Sequence, residues 1–186
     1  MTEGSTAQQA KFIGQERQSE LEYLSGENLY FQGRRYRLDV VYHDYHPRVS
    51  VGVGDMVLHI RIGSDRQQRE LALQEWYRKQ LKEQIPDLLA KWEGIIGVRT
   101  AAWGVKLMKT RWGTCNIAAR RIWLNLELAK KPVGCLEYLI VHELVHLLER
   151  LHNDRFKALM DQFLPQWRLY REELNRVPLA YDEWEC

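Results

Sequence analysis

The fold of this chain is decided by residues 138–156, which read YLIVHELVHLLERLHNDRF. Leucine, isoleucine and valine surround a helix drawn through this stretch, and a helix that is apolar on all sides is buried. His142 and His146 are four residues apart, so they lie on one face of that helix, one turn above each other. Glu143 follows His142 directly. Buried polar side chains need polar partners. We therefore predict that a metal ion is the partner of these histidines and of Glu143.

The H-E-x-x-H arrangement of residues 142–146 predicts a hydrolytic zinc centre. Zinc takes neutral imidazole nitrogens and keeps one position open for water when the site is catalytic. Bound zinc lowers the pKa of that water to about 7, and a carboxylate beside it can take the proton during attack. We therefore predict His142 and His146 as ligands and Glu143 as the catalytic base. An ordinary exposed helix face is the alternative for so short a motif, and the apolar surroundings argue against it.

His152, six residues after His146, is predicted as the third ligand. Asn153 and Asp154 are good N-caps for a new helix, and a helix end followed at once by a restart would swing His152 back toward the metal. The H-E-x-x-H-x5-H spacing resembles the metzincin pattern, but the glycine at which metzincins turn is absent. A role for His152 in capping the first helix is the alternative. The weaker candidates for the third ligand are Glu149, Asp154 and Asp161.

Length and composition limit the class of protein. The 186 residues are enough for one compact domain. The formal net charge of +2 implies no particular partner, and the short basic clusters favour solvated strands or loops over a nucleic-acid site. Three cysteines give no disulfide framework, no apolar run reaches membrane-spanning length, and the first twenty residues lack a signal-peptide core. We therefore predict a cytoplasmic location and no membrane partner. A nucleic-acid partner stays open, but nothing in the sequence indicates one.

The chain divides into three parts. Residues 1–26 are polar and are predicted to be a flexible segment with a helix-capable stretch at 15–24, residues 27–176 form a single domain, and residues 177–186 form a tail. Residues 27–33 spell ENLYFQG, the recognition site of a plant-virus protease that is widely used to remove purification tags. No polyhistidine run precedes it, and it continues into a strand pattern. Both a native and an introduced origin therefore stay open.

Periodicity predicts an α+β fold with N-terminal β-hairpins and C-terminal helices. Ser64 is predicted to cap a long helix that Pro86 breaks. His43 and His46 are interpreted as part of a polar loop rather than as a second metal pair. The predicted elements are a strand at 36–42, a hairpin at 49–62, helices at 65–84 and 87–93, strands at 98–108 and 121–127, the metal helix after Pro132, and helices at 155–163 and from 165.

With these pieces in order, the chain resembles the YgjP-like metallopeptidase family, relatives of the SprT and WLM peptidases in the zincin group. The resemblance runs over residues 33–175. It is carried by K-[ST]-R-W-G-[ST]-C at 109–115, I-x-L-N at 122–125, Pro132, H-E-L-x-H-L-x4-H-x3-F at 142–156, P-x-W at 165–167 and L-N at 174–175. Several ordered motifs are far more specific than H-E-x-x-H alone.

The resemblance implies a zincin-like α+β domain in which a small mixed sheet packs on the active-site helix. It also implies zinc held by His142, His146 and His152, with Glu143 catalytic. Three imidazoles suit nickel, cobalt or copper as well. The substrate does not come with the resemblance. In zincins generally, the edge of a sheet beside the metal helix binds an extended peptide by strand addition.

We predict that strand 121–127 is this edge, with Asn125 and Trp123 facing the cleft as substrate-binding residues. Arg111 is predicted to bind substrate too, although it and Trp112 can instead brace their loop against the metal helix. Cys115 is interpreted as a structural thiol, with zinc ligation as the alternative. The candidates for stabilising the oxyanion are Arg111 and Tyr170.

The leading functional prediction is a zinc-dependent peptidase of the bacterial or archaeal cytoplasm, which hydrolyses peptide bonds in peptides or proteins through a metal-bound water activated by Glu143. One alternative is a zinc-stabilised binding module that acts on protein–nucleic-acid complexes with little or no turnover. Another is a zinc hydrolase of non-peptide amides. The sequence leaves the oligomeric state and the cleavage preference open.

Overall fold

The structure is a computed structural model that describes residues 21–176. Within that range its mixed helices and strands confirm the predicted α+β class, whereas the helix-capable residues 15–20, the tail at 177–186 and Cys186 lie outside the described residues. The elements in chain order are β1 (Asn28–Phe31), β2 (Arg34–His43), β3 (Arg48–Val51), β4 (Asp55–Arg61), α1 (Arg66–Ile96), β5 (Ala102–Lys106), β6 (Gly113–Asn116), β7 (Arg121–Asn125), a 3-10 helix (Leu126–Lys130), α2 (Val133–Val145), α3 (Asp154–Phe163) and α4 (Trp167–Asn175).

The first sheet has the strand order β1-β2-β4-β3. β2 pairs with β4 in parallel, while β1–β2 and β3–β4 are antiparallel. The hairpin predicted at 49–62 is thus present as β3 and β4, with Gly54 at φ 91° in the turn. Alternation along β4 buries Met56, Leu58 and Ile60 on one face, as expected of a half-buried strand.

β1 and the turn after it contain the ENLYFQG stretch. Leu29 and Phe31 are buried, and the N–H groups of Gln32 and Gly33 donate to carbonyls of the 3-10 helix at 2.9 and 3.1 Å. Gly33 has φ 77°, and a Cβ there would lie 2.8 Å from Cγ of Pro132, so only glycine fits this turn. The stretch is therefore an integral strand that fixes the chain just before α2.

α1 is one continuous helix of 31 residues, so the predicted break at Pro86 is wrong. Proline costs a helix one backbone hydrogen bond, but Pro86 faces solvent, where water can satisfy the released carbonyl. The buried positions Leu81, Ile85 and Leu89 run past it and hold both halves against the core. The helix is capped by Asp65 rather than by Ser64, because the Asp65 carboxylate accepts from the N–H of the third helical residue in a capping box.

Residues 21–26, the described part of the predicted N-terminal segment, contact α1. Arg66 donates from Nε to the Leu21 carbonyl at 2.8 Å, and Arg69 donates to the Glu22 carbonyl at 3.0 and 3.2 Å. The Arg66 guanidinium also lies 5.6 Å from the centre of the Tyr23 ring. These contacts hold the segment on the helix.

The second sheet has the order β5-β7-β6, with β7 parallel to β5 and antiparallel to β6. The prediction that strand 121–127 is an edge is therefore wrong, since β7 is paired on both sides. It is also shorter than predicted, because the chain enters the 3-10 helix after Asn125. β6 is the edge strand that packs on α2. Within residues 21–176, no helix combines the length and the apolar content that crossing a bilayer requires.

Candidate metal centre

α2 carries the first two polar side chains of the site into the core. All eight residues from 138 to 145 are buried, including His142 and Glu143 at 2% exposure each. The helix is apolar on every side and is packed between α1, the second sheet and the C-terminal helices. It ends at Val145, and His146 is its C-cap.

The chain turns sharply after α2 and returns His152 to the same point. Asn153 begins α3 as its N-cap, since its side chain accepts from the N–H of Phe156 at 3.0 Å. The predicted helix end with an immediate restart is therefore present. This turn places His152 beside the two histidines of α2, although part of the His152 side chain stays exposed to solvent.

The three imidazoles converge through the same ring atom. Nε2 of His142 lies 3.2 Å from Nε2 of His146 and 3.1 Å from Nε2 of His152. Tetrahedral ligation at ordinary zinc–nitrogen lengths separates two such nitrogens by about 3.3 Å. The spacing therefore fits a single zinc ion. Among residues 21–176, these three histidines form the group of His, Cys, Asp and Glu side chains that could hold a metal ion.

Neighbouring groups fix the orientation of the rings. Nδ1 of His146 lies 3.1 Å from the Glu149 carbonyl, which can only accept, so Nδ1 carries the proton and Nε2 presents a lone pair. The Tyr138 hydroxyl lies 3.5 Å from Nδ1 of His142. The Phe156 ring packs against all three imidazoles, with centroid distances of 4.9, 4.7 and 4.7 Å. Outer partners of this kind hold metal-binding histidines in place.

Burial favours the neutral imidazoles that a metal requires. Loss of solvent lowers the pKa of His142 well below its ordinary value, and the neighbouring histidines lower it further. Burial also lowers the pKa of His146 and of His152. A divalent ion between the three Nε2 atoms would accept a lone pair from each neutral ring, so this donor set fits such an ion.

The other candidate ligands lie elsewhere. The Glu149 carboxylate accepts from the Leu151 N–H, Asp154 is exposed beside Lys157, and Asp161 accepts from Trp167 and Arg168. Cys115 is a free thiol outside the histidine group. Burial, and then the charge of Glu143, raise the pKa of that thiol to about 11, which disfavours the thiolate that a metal would need.

Glu143 is a buried carboxylate beside the edge strand β6. No residue in the described part of the chain donates a hydrogen bond to it, and burial raises its pKa to about 8 despite the opposing charge of Arg111. Gly113, the first residue of β6, lies so close that a Cβ there would overlap the Glu143 carboxylate. The missing side chain at position 113 therefore makes room for Glu143.

We expect Gly113→Ala to lower peptide hydrolysis by about a hundredfold, since displacement of a reacting group by about 1 Å has an effect of that size. The added methyl group must push the Glu143 carboxylate away from its position. Zinc content should stay at the wild-type level, because no ligand is touched. Gly94→Ala is the matched control, as a Cβ at that helical position meets nothing within 4 Å. Wild-type activity in Gly113→Ala would contradict this role.

Asn125 does not face a cleft, so its predicted contact with substrate is corrected. It is 0% exposed. Its Nδ2 donates to the carbonyls of Met108 and Arg111 at 2.9 and 2.7 Å, and its Oδ1 accepts from the N–H groups of Met108 and Glu127 at 3.3 and 3.1 Å. These four hydrogen bonds saturate the amide. Asn125 therefore stabilises the loop between β5 and β6 through hydrogen bonds to its backbone.

The other two predicted substrate-binding residues share one cavity. Arg111 and Trp123 line a volume of about 880 Å³ together with residues of β6 and with Arg150 from the turn after α2. Trp112 points inward and is 3% exposed, so it braces the loop while its neighbour Arg111 faces the cavity. Tyr170 packs on Gly134 near the start of α2, eight residues or about 12 Å from His142 along the helix. It is therefore too remote to stabilise an oxyanion.

Sequence reasoning missed several supporting residues. The supporting roles of Tyr138 and Phe156 were not predicted, although Tyr138 precedes His142 by one helical turn and Phe156 follows His152 by four residues. That spacing was the available signal. For Gly113 and Arg150 no local signal exists, because their positions depend on how β6 and the turn after α2 pack on the site.

Comparison with known proteins identifies the family to which the chain belongs. A family model described as "YgjP-like, metallopeptidase domain" matches residues 6–177. The chain therefore belongs to the YgjP-like metallopeptidase family. Among solved structures, it is similar to the metallopeptidase zymogen abylysin of Pyrococcus abyssi, with 21% identity, a TM-score of 0.44, and coverage of 50% of this chain and 90% of that one. No curated protein matches the chain.

Proposed function

We propose that this protein is a zinc-dependent peptidase in which His142, His146 and His152 hold the ion and Glu143 is the general base. The observation that carries the proposal is the convergence of three Nε2 atoms at zinc-like spacing. The residue after His142 is Glu143, a buried carboxylate that accepts no hydrogen bond within the described residues. Membership of a metallopeptidase family supports the proposal. The cytoplasmic location and the single domain at 27–176 stay predictions from the sequence.

Zinc, when bound, supplies a Lewis acid that polarises the scissile carbonyl and lowers the pKa of the attacking water. Glu143 would accept a proton from the attacking water and would deliver it to the leaving nitrogen. Tyr138, the Glu149 carbonyl and Phe156 orient the imidazoles. The positive charge of Arg111 lowers the pKa of Glu143 against the effect of burial. Arg111 is therefore our candidate for stabilising negative charge on the substrate carbonyl.

The substrate backbone is proposed to pair with β6. This strand is an edge of its sheet, begins at the glycine that contacts Glu143, and continues along the cavity lined by Arg111 and Trp123. An extended peptide added to that edge would place a carbonyl beside α2, as in other strand-addition complexes. β6 is thus the strand that we propose binds the peptide, in place of strand 121–127.

The experiment is digestion of a mixed peptide library by the zinc-loaded protein, with cleavage read by mass spectrometry. We expect internal cleavage that disappears when a chelator removes the metal and returns when zinc is restored. Nickel, cobalt and copper, restored in parallel, identify the ion that supports turnover. Failure to cleave any peptide when one zinc is bound would contradict the proposal, and hydrolysis of simple amides alone would favour the non-peptide hydrolase.

A further inference from the structure

The cavity that Arg111 and Trp123 share is lined by three arginines and by no carboxylate. Arg111 comes from the loop before β6, Arg121 from the start of β7, and Arg150 from the turn that carries the histidines. Arg111 and Arg121 lie on the two sides of β6, whereas Arg150 comes from a later segment, so the fold brings the third arginine to the other two.

None of the three guanidinium groups forms an ion pair within the described residues, although the charge of Arg111 lowers the pKa of the buried Glu143 carboxyl. Over residues 21–176, no carboxylate lies within 4.0 Å of any of them. Some arginines on the surface do form ion pairs, as Arg78 does with Glu75 and Arg168 with Asp161. A concave site lined by one sign of charge concentrates ions of the opposite sign.

The cavity also offers a peptide two further features. The β6 residues Thr114 and Asn116 line it, which brings the free edge of the sheet to its wall. Trp123 gives it an apolar surface, and Lys106 lies 4.9 Å from the centre of the Trp123 ring and adds another cation nearby. Backbone partners, an apolar wall and guanidinium groups together suit an extended peptide with carboxylate side chains.

We propose that this cavity is an anionic subsite that binds Asp and Glu side chains of the peptide substrate next to the cleaved bond. The inference rests on the proposed function, and it adds the substrate class. Arginine pairs with carboxylates through two parallel hydrogen bonds, so several arginines around one cavity select acidic segments over neutral ones. The site thereby favours acidic stretches of protein.

The test measures binding on the zinc-loaded Glu143→Gln protein, which is used so that the peptide stays intact. The probes are a fluorescent peptide rich in Glu and the same peptide with Gln at each of those positions, followed by fluorescence anisotropy. We expect the acidic peptide to bind at least about tenfold more tightly, with the difference shrinking as salt rises. Equal affinity for the two peptides would overturn the subsite.

Arg121→Glu on the same background should remove the preference for the acidic peptide, and Arg150→Gln, on a separate element, should reduce it. Arg35→Glu is the matched control, because Arg35 is exposed on β2 of the other sheet. A preference unchanged in both cavity variants would overturn the proposal. So would an oligonucleotide of equal charge binding as tightly as the acidic peptide, a result that points to nucleic acid.

The two proposals fail in different ways. Hydrolysis by the wild type without discrimination between the Glu and Gln peptides would remove the anionic subsite and leave the peptidase. Charge-selective binding without hydrolysis of either peptide by the wild type would remove the peptidase and leave a binding module for acidic chains.

Discussion

Glu143→Gln is expected to lower kcat/KM for peptide hydrolysis by about a thousandfold or more, within the range that general-base catalysis contributes. Glutamine has the shape of glutamate but cannot take the proton from water. Within the described residues, nothing donates a hydrogen bond to the Glu143 carboxylate, so the substitution breaks no structural contact. The expected result is an inactive protein that still binds zinc.

Stability separates loss of the base from loss of the fold. Because burial raises the pKa of Glu143 to about 8, its carboxyl is mostly neutral at pH 7 in the metal-free protein, and a neutral amide of the same shape adds no cost of burying a charge. We therefore expect the Tm of Glu143→Gln to equal or exceed the wild-type value. Activity at the wild-type level, or loss of zinc from this variant, would contradict the role assigned to Glu143.

Glu137→Gln is the matched control on the same helix. The Glu137 carboxylate accepts from Lys91 at 2.7 Å and from Trp92 at 2.9 Å, on the side of α2 that faces α1. Its replacement should reduce stability by about 1 kcal/mol, the usual value of such a hydrogen bond. Hydrolysis should stay at the wild-type rate, since Glu137 does not touch the metal centre.

His152→Ala is expected to weaken zinc binding by more than about a hundredfold, which exceeds the effect of removing an outer partner of a metal ligand. Two of three imidazoles remain, and activity should fall in parallel with zinc content. His152 is exposed and lies in a turn, so its removal leaves the core intact. The measurement is competition for zinc against a chelator of known affinity, followed by elemental analysis.

His46→Ala is the control for this experiment, because His46 is exposed in the loop between β2 and β3. It should bind zinc like the wild type. Undiminished zinc affinity in His152→Ala would remove His152 from the ligand set. Loss of zinc in an Asp154→Ala variant would instead indicate that Asp154 is a ligand, although its side chain is exposed beside Lys157.

The metal helix and its restart were predictable because their signals are local. Apolar residues at helical spacing, two histidines four apart and an N-cap residue at Asn153 all act within a few residues of one another. The hairpin around Gly54 belongs to the same category, since turn chemistry and strand alternation determine it. The three-histidine group could therefore be proposed before the structure.

The edge strand could not be predicted in the same way, because a strand's neighbours depend on distant segments. β7 has apolar residues at Ile122 and Leu124 whether it lies at the edge or in the centre. Asn125 was predicted to face the substrate cleft, yet its amide donates to backbone carbonyls of a loop some 14 to 17 residues earlier. The alternation of residues along β7 contains no information about where the loop between β5 and β6 lies.

Pro86 illustrates a different limit. A proline in a helical pattern ordinarily ends the helix, and local reasoning gives no measure of the burial on either side. Here the apolar positions before and after it pack on the same core, while the proline faces water. Tertiary packing outweighs the lost hydrogen bond, so α1 continues to Ile96.

The most direct test of the account is a crystal structure of the zinc-soaked protein with anomalous data collected at the zinc absorption edge. We predict one strong peak at about 2.0–2.1 Å from Nε2 of His142, His146 and His152, with the Glu143 carboxylate facing the remaining open position. A zinc ion held by other side chains, or rings that diverge from an empty centre, would contradict it.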